Sequence, residues 1–278
     1  LKEPRKLHLT LNEQARFFVF AHGLEAEPPR QGGPGVFDLP SFGVASAPEA
    51  VQTAAIQRAI DEVAARRCTL FVPPGIYRCG QLRMRSDVTL YLAPGAILKG
   101  TGALADYPSG ELGTQQVDFT DCRNVRIYGR GVIDGQGRAL RLSGRNSSSS
   151  RSKLIRMDRA QSCVVEDVIL RDSGRWSIHL VESAADIRFT NFKLISNTSR
   201  DDPDFPWEPN TDGFDPDNSS RVLIERGFIS TNDDAIALKL RHGTRRDMGG
   251  VRFRDNVVWT VKSALKIGTE AAGPRLSE

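Results

Sequence analysis

Over much of the chain apolar and polar residues alternate one by one in short runs. Val125-Arg126-Ile127, Cys163-Val164-Val165, Ile187-Arg188-Phe189, Val222-Leu223-Ile224 and Val251-Arg252-Phe253 carry apolar residues at their first and third positions. Another apolar residue follows seven positions after the first, at Val132, Leu170, Leu194, Ile229 and Val258. Period-two alternation marks a strand with one buried face, and the stretches between these runs hold Gly, Asn, Asp and Ser. The unit recurs at intervals of roughly 24 to 38 residues, too uneven for leucine-rich or ankyrin repeats and suited to coils that bear loops of different length. An all-β parallel β-helix is expected, with Thr69–Val72 and Val88–Leu92 in its first coils. The competing β-sandwich needs hairpins, and Asn-Gly turns between paired strands are lacking.

One segment has helical periodicity instead. Val51, Ala54, Ile56, Ala59, Ile60 and Val63 recur at three- and four-residue spacing within residues 50–65, just ahead of the first coil. A helix there would cap the open N-terminal edge of the stack. Residues 1–36 read as part of a small β module, with strands at Leu7–Leu11 and Phe17–Phe20 and a Pro/Gly-rich linker from Pro28 to Gly35. Residues 37–278 form the β-helix domain. The sequence opens at Leu1 without a Met and closes directly after a strand-like run, so both ends look cut, with any secretion signal removed or lying upstream and further coils expected after Glu278. Secreted or periplasmic placement follows from that expectation.

Composition narrows the classes. With 39% hydrophobic residues and no apolar stretch long enough for a bilayer, the chain reads as globular without a membrane span. The net charge is +4 and the pI about 9.0, but the basic residues stand singly along strands and do not interleave with aromatics. That argues against a nucleic-acid partner and suits a polyanionic one. Cys68, Cys79, Cys122 and Cys163 form no Cys-x-x-Cys pair; Cys68 and Cys79 flank Pro73-Pro74-Gly75 as a candidate bridge, and Cys163 reads as a buried thiol. The Ser147–Ser152 tract reads as a long loop.

The chemistry concentrates in Asn210-Thr211-Asp212-Gly213-Phe214-Asp215 and Asn232-Asp233-Asp234-Ala235-Ile236-Ala237. Three carboxylates without a cluster of His or Cys suit hydrolysis of a glycosidic bond, which needs a proton donor and a base and neither metal nor cofactor. Asp212 and Asp233 lie about one coil apart, so their backbones should sit on neighbouring rungs about 5 Å apart. Diverging side chains would bring the carboxyls toward the 6.5–9.5 Å of an inverting pair, while the 5–5.5 Å of a retaining pair stays open. Asp233 and Asp234 would point to opposite sides of a regular strand, so an irregularity is expected at 232–234. Crowding of the three acids should raise at least one pKa. The bland alternative gives these aspartates only turn-forming roles.

Gly43 and the helix after it, Val72-Pro73-Pro74-Gly75-Ile76-Tyr77, Val88–Leu92 with Gly95-Ala96, Gly131–Gly135, Trp176–His179, Asn210–Gly213 and Asp233–Lys239 occur in the order found in polygalacturonases. Over residues 36 to about 270 the chain resembles this family of glycoside hydrolases. The resemblance implies a right-handed, single-stranded parallel β-helix and an inverting mechanism, with Asp233 as general acid and Asp212 and Asp234 activating the water. The family's Gly-His-Gly element is absent; the matching place reads Lys262-Ser263-Ala264-Leu265-Lys266-Ile267-Gly268. Its Arg-x-Lys element would fall beyond Glu278. Neutral α-glycans, as in dextranase-like and α-galactosidase-like relatives, therefore stand beside galacturonan as candidate polysaccharide or oligosaccharide substrates.

Trp207, Lys239, His242, Lys266 and His179 are the candidate substrate-binding residues. Trp207 lies on the loop leading into Asp212 and offers an indole face to a pyranose; His179 and the lysines have packing or ion-pairing alternatives. Trp259 falls beside an inward strand position and reads as a packing residue. The acids Asp201, Asp202, Asp204, Glu208, Asp215 and Asp217 invite a second reading, a Ca²⁺-dependent β-helix lyase. A third is a non-catalytic carbohydrate-binding β-helix.

Overall fold

The computed structural model describes residues 5–11, 15–25, 27–108, 114–143, 152–182, 184–196, 210–241, 248–272 and 275–277. Apart from an antiparallel N-terminal pair, its strands fall in rotation on three parallel faces. One coil runs through Ala185–Thr190 on sheet I, Lys193–Ser196 on sheet II and Phe214–Pro216 on sheet III; the next runs through Ser220–Glu225, Phe228–Thr231 and Ala237–Leu240. Each strand pairs in parallel with its counterparts in the coils before and after it, giving a right-handed parallel β-helix.

The repeat seen in the sequence is the vertical stack of the core. Cys163 pairs with Ile187 and Ile187 with Val222, while Val165, Phe189 and Ile224 form the next column; all six are buried. Aromatic edges lock the interior near the site, with Phe214 5.0 Å from Phe189 and 5.2 Å from Phe192, ring centre to ring centre. The first unit departs from the expected spacing. Ile133, not Val132, pairs with the buried Leu170, because the turn before it holds one extra residue around Gly129. Gly129 sits at φ 107, and a β-carbon there would stand 2.3 Å from the Leu92 carbonyl oxygen, so only glycine lets the turn pass so close.

The cap helix spans Thr53–Ala65 and buries Ile56, Ala59, Ile60, Val63 and Ala64 against the first coil. Val51 falls outside it, on the strand Ala47–Val51, and is exposed. All four cysteines are free thiols, so Cys68 and Cys79 are not bridged. Trp259 points outward, 55% exposed, beside Val258, which takes the inward place on the strand Val257–Thr260. The ring of His8 meets its indole edge-on at 4.7 Å. His8 belongs to an antiparallel hairpin, Arg5–Leu11 with Ala15–Ala21, that lies across the outer face of sheet II and sets Phe18 and Phe20 against Phe228. Among the described residues no helix is long and apolar enough to cross a membrane.

Candidate active site

The two acidic motifs meet where sheet II turns into sheet III. The Asp212 carbonyl accepts from Ser177 N–H on the rung before, and Gly213 N–H donates to the Asp234 carbonyl on the rung after. Ala235 N–H in turn reaches the Ser263 carbonyl, so 177, 212, 234 and 263 are successive floors of one column. Gly213 is dictated by this approach: a β-carbon there would lie 2.4 Å from the Ala235 carbonyl oxygen. The strand Phe228–Thr231 ends just before the acids and regular pairing resumes only at Ile236, with bends at 232, 233 and 235. That break lets neighbouring aspartates face the same way.

Oxygens of Asp212, Asp233 and Asp234 consequently lie within 4.8 Å of one another. The nearest oxygens of the three acids thus converge on one point. Their surroundings differ. Asp212 is buried, its Oδ1 has no hydrogen-bond partner, and desolvation with the nearby Asp233 charge pushes its pKa up to about 7. Asp234 is equally inaccessible, yet its carboxyl is held below the usual range: burial opposes ionisation, and Lys266 Nζ at 2.8 Å and Ser263 N–H at 3.1 Å outweigh it. Asp233 is only partly buried and accepts from Asn210 N–H at 2.8 Å and Asp234 N–H at 2.9 Å. Asn210 makes its contact from a left-handed conformation, φ 64.

Behind the acids lies a polar network that periodicity could not reveal. Arg156, His179 and Asp215 occupy matching positions on successive rungs of sheet III. His179, 1% exposed, bonds Asp217 at 3.2 Å, and burial together with surrounding cations holds its ring neutral, well below the usual histidine range. It therefore stands behind the groove and not at a sugar-contacting surface. Lys239 is buried too: its Nζ is 3.4 Å from Asp215 Oδ1, 3.0 Å from Glu270 Oε2 and 4.2 Å above the Trp176 ring. Asp215 is wholly buried and its pKa lies well above normal, chiefly through desolvation and then through the neighbouring Asp212 charge. Asp217 is sealed as well, against His179 and Arg241. Lys266, partly exposed, is the candidate lysine that reaches the acids directly. Trp207, His242, Asp201, Asp202, Asp204, Glu208 and most of the Ser147–Ser152 tract lie outside the described residues.

Known proteins share the fold. A polygalacturonase of Ralstonia nicotianae is 26% identical over 270 residues, covering 78% of this chain and 50% of its own; an exo-poly-alpha-D-galacturonosidase of Dickeya chrysanthemi is 23% identical over 261 residues, covering 73% and 42%. The chain thus spans about half the length of these curated relatives. The solved family 28 exopolygalacturonase of Yersinia enterocolitica superposes with a TM-score of 0.71 at 20% identity, over 92% of this chain and 52% of that one. Residues 66–252, which contain both acidic motifs, match Glycosyl hydrolases family 28, and the chain belongs to that family.

Proposed function

We propose that the protein hydrolyses glycosidic bonds in a galacturonan-type polysaccharide, with inversion and without a metal. The observation that carries this reading is the convergence of three carboxylates in unlike electrostatic settings at one break in the stack. Asp233, the accessible member, donates a proton to the leaving oxygen as the bond to the anomeric carbon breaks. The water oxygen bonds to that carbon, and its proton passes to Asp212, whose burial raises its proton affinity. Transfer from Asp212 back to Asp233, directly or through one water, resets the pair. Asp234, neutralised by Lys266, stays ionised and fixes the water. The proton thus belongs to the Asp212–Asp233 pair and not to one residue.

The uronide assignment draws on the relatives' names and on Lys266, the positive group that reaches the acids. It is tested by measuring reducing ends released from polygalacturonate, dextran and galactan, with Asp233→Asn as control. Release from polygalacturonate alone, lost by several orders of magnitude in the variant, is expected. Release only from a neutral glycan would overturn the substrate class. NMR of the first-formed anomer tests inversion. The Ca²⁺ lyase reading draws support from the carboxylate cluster, but Lys266 already neutralises part of its charge and Asp215 and Asp217 are sealed inside. Chelator-sensitive formation of an ultraviolet-absorbing unsaturated sugar would establish it instead.

A further inference from the structure

The N-terminal hairpin does more than cover sheet II. Between it and the end of that sheet is a cavity of about 520 Å³, lined among the described residues by Phe18 and Phe20 on one side and Val132, Ile169 and Ile195 on the other. At the edge nearest the turn into sheet III stand Arg138, Arg171, Asp172, Ser173 and Ser196. Rings and aliphatic groups opposite each other, with the guanidinium-bearing Arg138 and Arg171 and the acid Asp172 gathered at one end, match a pyranose, whose faces are apolar and whose rim is polar.

Its position relative to the acids follows from the register. Ser196 pairs with Thr231 on the next rung, and Thr231 Oγ1 donates to the Asp233 carbonyl at 2.7 Å. Ser173 bonds the hydroxyls of both Ser196 and Ser177, and Ser177 N–H reaches the Asp212 carbonyl. The polar rim therefore lies on the coil of Asp212 and the one before it, one to two rungs before Asp233 and Asp234, which is about 5–10 Å along the stack at the usual strand spacing, the length of one or two sugar units. Asp172 is largely buried and its pKa is raised to about 6, by desolvation first and then by the adjacent Asp134. Arg171 Nε stands 3.4 Å from Asp134, with its side chain half exposed at the rim.

We propose that this cavity is a sugar-binding subsite which holds a pyranose unit of the same acidic glycan, one or two units from the bond that is cut. The hairpin forms one wall and Arg171 recognises the unit's carboxylate. The inference builds on the hydrolase reading for its substrate class, but its test is a binding measurement that needs no turnover.

The Asp233→Asn protein is titrated calorimetrically with galacturonate oligomers of two to six units, alone and combined with Ile169→Trp, which fills the cavity, with Phe20→Ala, or with Arg171→Ala. Affinity is expected to climb with length in the parent, and each second change should weaken the longest oligomer at least tenfold while costing the dimer much less. A length dependence that survives Ile169→Trp would overturn the subsite, as would equal losses at every length accompanied by a lower melting temperature, which would make the hairpin purely structural. An equal gain with neutral glucan oligomers would overturn the uronide assignment. If the unmutated protein releases no reducing ends yet its length-dependent binding disappears on filling the cavity, the hydrolase reading fails and the subsite stands.

Discussion

Burying Asp212 beside Asp233 raises the proton affinity the proposed reaction uses, and the same arrangement works against folding. A carboxyl whose pKa is raised from 3.8 to about 7 binds more protons folded than unfolded between those values. Its folded state is unpenalised below about pH 4, loses ground as pH rises, and carries the full cost above about pH 7. Asp212→Asn should therefore abolish turnover while stabilising the protein by roughly 2–4 kcal/mol at pH 8, a gain that vanishes near pH 4. Denaturant titrations at the two pH values check the sign. Lys266 acts in the opposite sense on Asp234, whose depressed pKa keeps it charged well into the acid range. Replacing Lys266 by Met should raise that pKa and move the acid limb of the pH–rate profile upward, which initial rates from pH 3 to 6 would show. A limb that stays in place would remove Lys266 from any electrostatic role.

At the scale of elements the site depends on how closely two rungs approach. Gly213→Ala places a methyl group 2.4 Å from the Ala235 carbonyl oxygen, so the rungs bearing Asp212 and Asp234 must part. A shift approaching 1 Å should lower kcat about 100-fold while a folded protein remains, measured by turnover alongside circular dichroism. Ile60→Ala in the cap helix should cost about 2–4 kcal/mol with no change in kcat, because Ile60 is wholly buried and far along the stack from the acids. The elements were legible in the sequence wherever one face of a strand is apolar and the other polar, as at Ile187–Phe189. Where three apolar residues run together, as in Val257-Val258-Trp259, alternation alone leaves the parity open, and the seven-residue spacing that picked Val258 as the inward one agrees with the structure, which turns Trp259 outward. An extra residue at a turn shifts every later position by one, which moved the inward place from Val132 to Ile133. The acidic motifs were readable as chemistry because Asp-Asp demands a break in a regular strand. The network of His179, Asp215, Asp217 and Lys239 was not, since buried polar groups satisfy one another across rungs and leave no periodic trace. The sugar-sized cavity was equally hidden, for it arises where a hairpin near residue 20 lands on strands more than 100 residues later.

For the molecule as a whole, charge and shape act together on the proposed substrate. The chain carries +4 net, and Lys266 stands at the rim of the acids where a polyanion would arrive. Long-range attraction raises the encounter rate and falls away once ions screen it beyond about 10 Å at 0.1 M salt. The bond-breaking step has no such dependence, because Asp212 and Asp234 are buried and the acids' contacts to Lys266, Ser263 and Asn210 are at hydrogen-bonding distance, well inside the screening length. Raising ionic strength from about 0.01 to 0.3 M should then reduce kcat/KM on polygalacturonate several-fold and leave kcat nearly unchanged. Steady-state kinetics across that range decide the matter: a parallel fall in kcat would place the salt effect on the Asp212–Asp233–Asp234 cluster itself, and a flat kcat/KM would remove the acidic polymer as the ligand toward which this surface is charged.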